Sequence, residues 1–135
     1  MLMTNMSKNK VILFYLLLLV SHVAHVFEEI WGRFWFIDRF LSFGWFLVVN
    51  LFLFFIPVAV FYFILQDRRW AYFMGIIYAG IMILNGIGHN GATALTQRYF
   101  GGFAGGYSGV FLVLFGAFLI FYLIKGLAAD RNLHF

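Results

Sequence analysis

The chain has 135 residues, of which 64% are hydrophobic and only 10% charged, and its mean hydropathy is +0.96. A soluble domain carries roughly 25% charged residues, so lipid must cover most of this exterior. The nine Lys and Arg behind the net charge of +4 are scattered singly or in pairs, which excludes a nucleic-acid patch, and the lack of cysteine excludes disulfides and thiolate metal sites, leaving imidazole and carboxylate as ligands.

The first apolar run covers about residues 11–30. Lys8 and Lys10 ahead of it imitate the positive start of a signal peptide. The segment Ser21-His22-Val23-Ala24-His25 lacks clean small residues at the two cleavage-determining positions, so the run reads as an uncleaved transmembrane helix. The next segment, Trp31 to Ser42, is rich in aromatics and reads as an amphipathic stretch lying in the interface. The second run covers about 43–65, and Pro57 within it is expected to bend the helix and release one carbonyl. Asp67-Arg68-Arg69 reads as an interfacial turn. The third run covers about 70–96, with Gly75 and Ala79, and Gly88 and Ala92, at the spacing that lets helices pack closely. The Gly101–Gly106 segment reads as a lid or a plain flexible connector. The fourth run covers about 105–127.

Each run meets the ~20 residues that a helix needs to cross a bilayer, and none alternates as a barrel strand does. The expectation is an all-α protein: one domain over residues 1–135, built as a four-helix transmembrane bundle with up-down topology. Six Lys and Arg (Lys8, Lys10, Arg68, Arg69, Lys125, Arg131) fall on one side and three (Arg33, Arg39, Arg98) on the other. That bias places both termini in the cytoplasm of a cell membrane. Trp31, Trp35 and Trp45 then fall near the outer interface and Trp70 near the inner one.

Polar residues gather near the ends of the first and third runs. His22, His25, Glu28 and Glu29 lie within roughly 120° of one helix face. Asn85 and His89, four residues apart, share a face of the third helix, which Thr93 and Thr96 extend. Helices one and three run in the same direction in an up-down bundle, so the two clusters come to similar depth. Ionisable groups at membrane depth are expensive and rarely persist without a partner or a task.

Three readings follow. In the first, His25, Glu29 and His89, with His22 as a fourth candidate, ligate a divalent ion such as zinc. Glu28 is then the general base on an activated water, and Asn85 orients His89 or stabilises an oxyanion. A di-iron site is disfavoured, because Asp38, Asp67 and Asp130 lie in loops or the tail and too few carboxylates remain. In the second, His25 and a glutamate form a metal-free proton-transfer dyad. In the third, the same groups form a structural hydrogen-bonded network. Asn50, alone in helix two, reads as an interhelical hydrogen bond or a group behind the site.

His25-Val26-Phe27-Glu28-Glu29 reads HxxEE. With Asn85-x-x-x-His89 and Tyr107-Ser108-Gly109-Val110, it resembles the HXXEE-domain family of small integral membrane proteins, over about His22 to Leu119. Where the family often shows Pro-Gly after the tyrosine, this chain has Ser108-Gly109. The resemblance implies a membrane enzyme without an established reaction, with His25, Glu28, Glu29, Asn85 and His89 at the family positions.

The expected activity is a metal-dependent membrane hydrolase acting on a lipid-like substrate. The alternatives are a metal-free acid–base enzyme of isomerase type working on an apolar substrate, and a non-enzymatic metal-binding or accessory protein. The bilayer and an apolar small molecule are the expected partners, nucleic acid is not, and a homo-oligomer fits a bundle of this size.

Overall fold

The computed structural model describes residues 5–31, 42–96 and 106–131. They form four helices: α1 (Asn5–Trp31), α2 (Phe43–Leu65), α3 (Arg69–Thr96) and α4 (Gly106–Arg131). Hydrocarbon offers the backbone no hydrogen bonds, so a spanning segment satisfies its own as a helix. All four helices are long and apolar enough to cross a membrane. The molecule is an integral membrane protein, a four-helix bundle of up-down topology. The interfacial segment and the glycine-rich connector named above lie outside the described residues, apart from Trp31 and Ser42 at the helix ends and Gly106, which opens α4.

The helices start or stop beyond the apolar runs at two places. α1 begins at Asn5 rather than near Val11, because its polar first turns have work at the bundle's end. Lys8 Nζ lies 2.8 Å from Asp67 Oδ2 and donates to the Leu65 carbonyl at 3.0 Å. Tyr72 donates its hydroxyl to Asp67 Oδ1 at 3.1 Å. Asp67 itself sits in the left-handed region at φ 58°, a conformation that short polar side chains tolerate in turns. The α2–α3 turn is thus clasped to α1. α4 likewise continues past Leu127 to Arg131.

One buried seam organises the bundle. On α1 it runs Val11, Tyr15, Leu18, His22, His25, Glu29, and on α4 it runs Gly109, Leu112, Gly116, Leu119, Leu123, Gly126. Both alternate steps of three and four residues, as in left-handed helix packing. α3 contributes Gly75, Ala79, Met82, Gly86 and His89 on the same rhythm. The seam is apolar through the half near Lys8 and turns polar at the opposite end. The outward faces are dominated by large aliphatic and aromatic side chains, the composition that suits contact with lipid.

α2 is the least embedded helix, burying only Phe46, Pro57, Val60 and Ile64. Ser42 caps its start by accepting from the Trp45 amide. The helix runs unbroken through Pro57, whose carbonyl accepts a buried hydrogen bond from the Tyr15 hydroxyl at 2.9 Å.

α3 and α4 approach most closely where glycines face each other. A Cβ built on Gly86 would strike the Gly109 carbonyl oxygen, and one on Gly116 would lie 2.7 Å from Ile83 and 3.2 Å from the Ala79 carbonyl. Of the spacings noted in the sequence, Gly75 is packed tightly, against Leu123, Ile64 and Tyr15, whereas Gly88 faces open space. The Gly86–Gly109 contact sets the depth at which α3 and α4 present their polar residues, because His89 follows Gly86 by one turn and Ser108 adjoins Gly109.

Gly86→Ala should therefore push α3 from α4 and destabilise the fold by about 1–3 kcal/mol, the usual cost of overpacking. Gly88→Ala, in open space, should leave stability unchanged or slightly raised. Thermal unfolding in detergent checks both, and equal behaviour of the two variants would contradict the close-contact assignment.

Candidate metal centre

Four side chains and one helix end meet at the polar end of the seam. His25, Glu29 and His89 are buried there, with exposures of 1%, 6% and 4%. His25 and Glu29 come from successive turns of α1, and His89 from α3. Glu29 Oε1 lies 3.5 Å from His25 Nε2 and 3.3 Å from His89 Nε2. The two imidazole rings meet edge to face with centroids 4.6 Å apart. One ligating atom from each residue falls within 4.8 Å of the other two.

Glu28 takes a different position from its neighbour. Its carboxylate meets the start of α4, accepting from the Ser108 amide at 3.0 Å, from the Tyr107 amide at 3.4 Å and from the Ser108 hydroxyl. The first amides of a helix lack intrahelical acceptors and carry the positive end of its dipole. A carboxylate from α1 satisfies them, so Glu28 caps α4 from another helix. The general-base role expected from sequence must share Glu28 with this cap, since both carboxylate oxygens accept from α4.

This cap fixes the chemistry of His25. Ser108 Oγ has one proton, which it donates to Glu28. The second contact of Ser108 Oγ, 2.9 Å from His25 Nδ1, must then be accepted from His25, which carries its proton on Nδ1. The lone pair of Nε2 is left facing Glu29 and His89. His25 Nε2 is buried and has no hydrogen-bond partner. A lone pair opposite a carboxylate oxygen is repulsive unless a cation or proton lies between them.

The donor set suits a cation. Two imidazole nitrogens and one carboxylate oxygen are borderline-hard ligands of the type that holds zinc in open, three-residue sites. At metal–ligand distances of about 2.0–2.1 Å, a tetrahedral edge is about 3.3 Å. The two nitrogen–oxygen separations, 3.3 and 3.5 Å, match that edge.

The remaining sequence candidates lie elsewhere. His22 is buried one turn below His25, but its Nδ1 is 3.2 Å from the Tyr78 hydroxyl and it does not join the group of three. Tyr78 on α3 holds the ring that the sequence offered as a fourth ligand. Asn85 is half-buried on α3, and no hydrogen bond among the described residues ties it to His89. Asn50 donates to the Phe46 carbonyl of its own helix at 2.9 Å. Sequence reasoning assigned no role at the site to Ser108, named only within the resemblance, or to Tyr78. Ser108 carried one legible signal, a hydroxyl in the first turn after a glycine-rich segment, but its link to α1 spans 80 residues.

Comparison with protein-family profiles, with curated proteins and with solved structures finds no match.

Metal-free protein should show His25 protonated at Nδ1 and bare at Nε2 in nitrogen–proton correlation spectra, and Ser108→Ala should let the ring exchange tautomers. A wild-type His25 protonated at Nε2 would contradict the hydrogen-bond order given above.

Proposed function

We propose that this protein is a membrane-embedded, metal-dependent enzyme of the hydrolase class, with His25, Glu29 and His89 holding one divalent ion, zinc by donor type. One observation carries the reading: the buried, unpartnered Nε2 of His25 aims at an oxygen that His89 also approaches. Three protein ligands leave a fourth tetrahedral position open, as catalytic sites require. A bound ion would supply Lewis-acid polarisation and an activated water.

The chain's own residues build the frame around that chemistry. Glu28 fixes the Ser108 hydroxyl, and Ser108 fixes the tautomer and tilt of His25. Glu28 is thereby a positioning residue first. Asn85, one turn before His89, is the amide proposed to meet developing negative charge. The substrate is proposed as lipid-like because exposed side chains around the site, Phe27, Ile87 and Val110 among them, are apolar. The residues of the HxxEE resemblance coincide with this frame: His25 and Glu29 in the trio, Glu28 in the cap.

The termini are proposed to be cytoplasmic. Lys8, Arg68, Arg69 and Lys125 gather at the end of the bundle opposite the trio, and such charges favour the cytoplasmic side. The trio then lies in the outer leaflet.

A second reading draws on a different feature of the same site. Ser108 Oγ and Glu29 Oε1 approach the two ring nitrogens of His25 at 2.9 and 3.5 Å, a sequence of contacts that suits metal-free proton transfer. Activity that survives exhaustive chelation would select it over the metal reading.

Metal-stripped protein in detergent should bind about one zinc ion per chain, and His25→Ala, Glu29→Ala or His89→Ala should each weaken binding by more than about 100-fold. Ser108→Ala should cost about 10–100-fold, as loss of a group behind a ligand does. His22→Ala should retain the ion. Competition against a chromophoric chelator measures all five. Binding that none of the three ligand variants disturbs would overturn the assignment.

A further inference from the structure

The halves of α1 and α2 nearest the trio stand apart around a cavity of about 260 Å³. Val23 and Val26 line it from α1, Leu51 and Phe54 from α2, and two polar side chains, His22 and Asn50, reach it as well. His22 is only 3% exposed. Its Nδ1 is held by Tyr78 on α3, so the ring is fixed where it borders the cavity. Asn50 uses one amide proton on the Phe46 carbonyl, and its side-chain oxygen has no donor among the described residues.

The other lipid-facing hollows differ. One of about 210 Å³ lies between α2 and α3, lined by Leu53, Ile56, Met74 and Ile77 with Tyr78 as its sole polar side chain. Another, of about 370 Å³, lies along α4 around Phe118 and Phe121, where Tyr122 is the one polar group. A third, of about 670 Å³ between α3 and α4, has the carboxamide of Asn90 but no imidazole, so none of the three sets a buried imidazole beside a carboxamide.

We propose that the α1–α2 cavity binds the head and first methylenes of a neutral single-chain amphiphile carrying a hydroxyl. Hydrocarbon delivers amphiphiles to it laterally. Its volume lies just below the ~300–1,000 Å³ of pockets that enclose drug-sized ligands, which suits the head and first methylenes of one chain. Its polar lining offers hydrogen bonds and no fixed charge, so an ionic head would be desolvated without a counter-ion. A hydroxyl matches both groups, donating to Asn50 Oδ1 and sharing a hydrogen bond with the imidazole. His22 lies three residues before His25, about 4.5 Å along the helix axis. That the amphiphile is the substrate of the metal centre rests on the metal reading above, whereas its binding does not.

The test uses the full chain in phosphatidylcholine vesicles and two photoactivatable probes, a long-chain alcohol with a diazirine near its hydroxyl and the matching hydrocarbon. The alcohol should label Val23, Val26 and Leu51 and be competed by unlabelled alcohol, while the hydrocarbon should not favour these positions. Asn50→Leu should lower the labelling by about fivefold, the equivalent of one hydrogen bond, and Val26→Trp should abolish it by filling the cavity. Labelling of Met74 and Ile77 in the α2–α3 hollow should stay constant, which shows that both variants fold. His89→Ala should keep the labelling although it removes a metal ligand, so failure of the metal reading is told apart. Equal labelling by alcohol and hydrocarbon, or labelling undiminished in both cavity variants, overturns the proposal.

Discussion

A carboxylate oxygen held between two imidazole nitrogens, inside a helix seam that lipid surrounds, is the constraint from which the rest of this structure follows. Hydrocarbon supplies no counter-ion to Glu29, so the protein must itself hold the cation or proton that lies between this oxygen and the bare Nε2 of His25. His25 arrives from the preceding turn and His89 from α3. Helix α1 therefore cannot rotate or slide against α3 without exposing a charge to lipid. The seam of α1 keeps its packing rhythm through His22, His25 and Glu29, so the polar residues stand where apolar ones stand lower down.

The supports of that contact are themselves forced by local physics. Glycines at 86 and 109 let α3 and α4 backbones approach, which brings Ser108 and His89 to the level of His25. The start of α4 has amides in need of an acceptor, and Glu28 supplies it from α1. Two consecutive glutamates thus divide the work: Glu28 ties α1 to α4, and Glu29 ties α1 to α3. Polar groups occupy one end of the seam, whereas the other end is closed by Val11, Leu18, Leu119 and Leu123. That asymmetry favours a site over a pathway through the membrane.

The fold was legible in the sequence because the bilayer imposes a length and a composition on any helix that crosses it. The four apolar runs mark the four helices, and α2 matches its run at both ends. The polar start of α1 was not legible, since hydropathy sees only the part in hydrocarbon and Lys8 is held by Asp67 far along the chain. At the site, shared depth and shared faces pointed to His25, Glu29 and His89. They did not separate His22 from that group, because helix angle places it beside Glu29 and only the position of Tyr78 turns it away. Nor could they reveal that Glu28 faces α4, because no periodicity within α1 records where another helix begins. The contact of Ser108 with His25 was illegible for the same reason.

The metal reading requires two imidazoles and one carboxylate to converge on a single ion. X-ray absorption spectroscopy of zinc-loaded protein in lipid tests this most directly. The prediction is a first shell of nitrogen and oxygen at about 2.0–2.1 Å, with outer scattering from two imidazole rings that falls to one in His89→Ala and to none when His25 is replaced as well. A protein that takes up no zinc, or one whose imidazole scattering persists after both replacements, would contradict it.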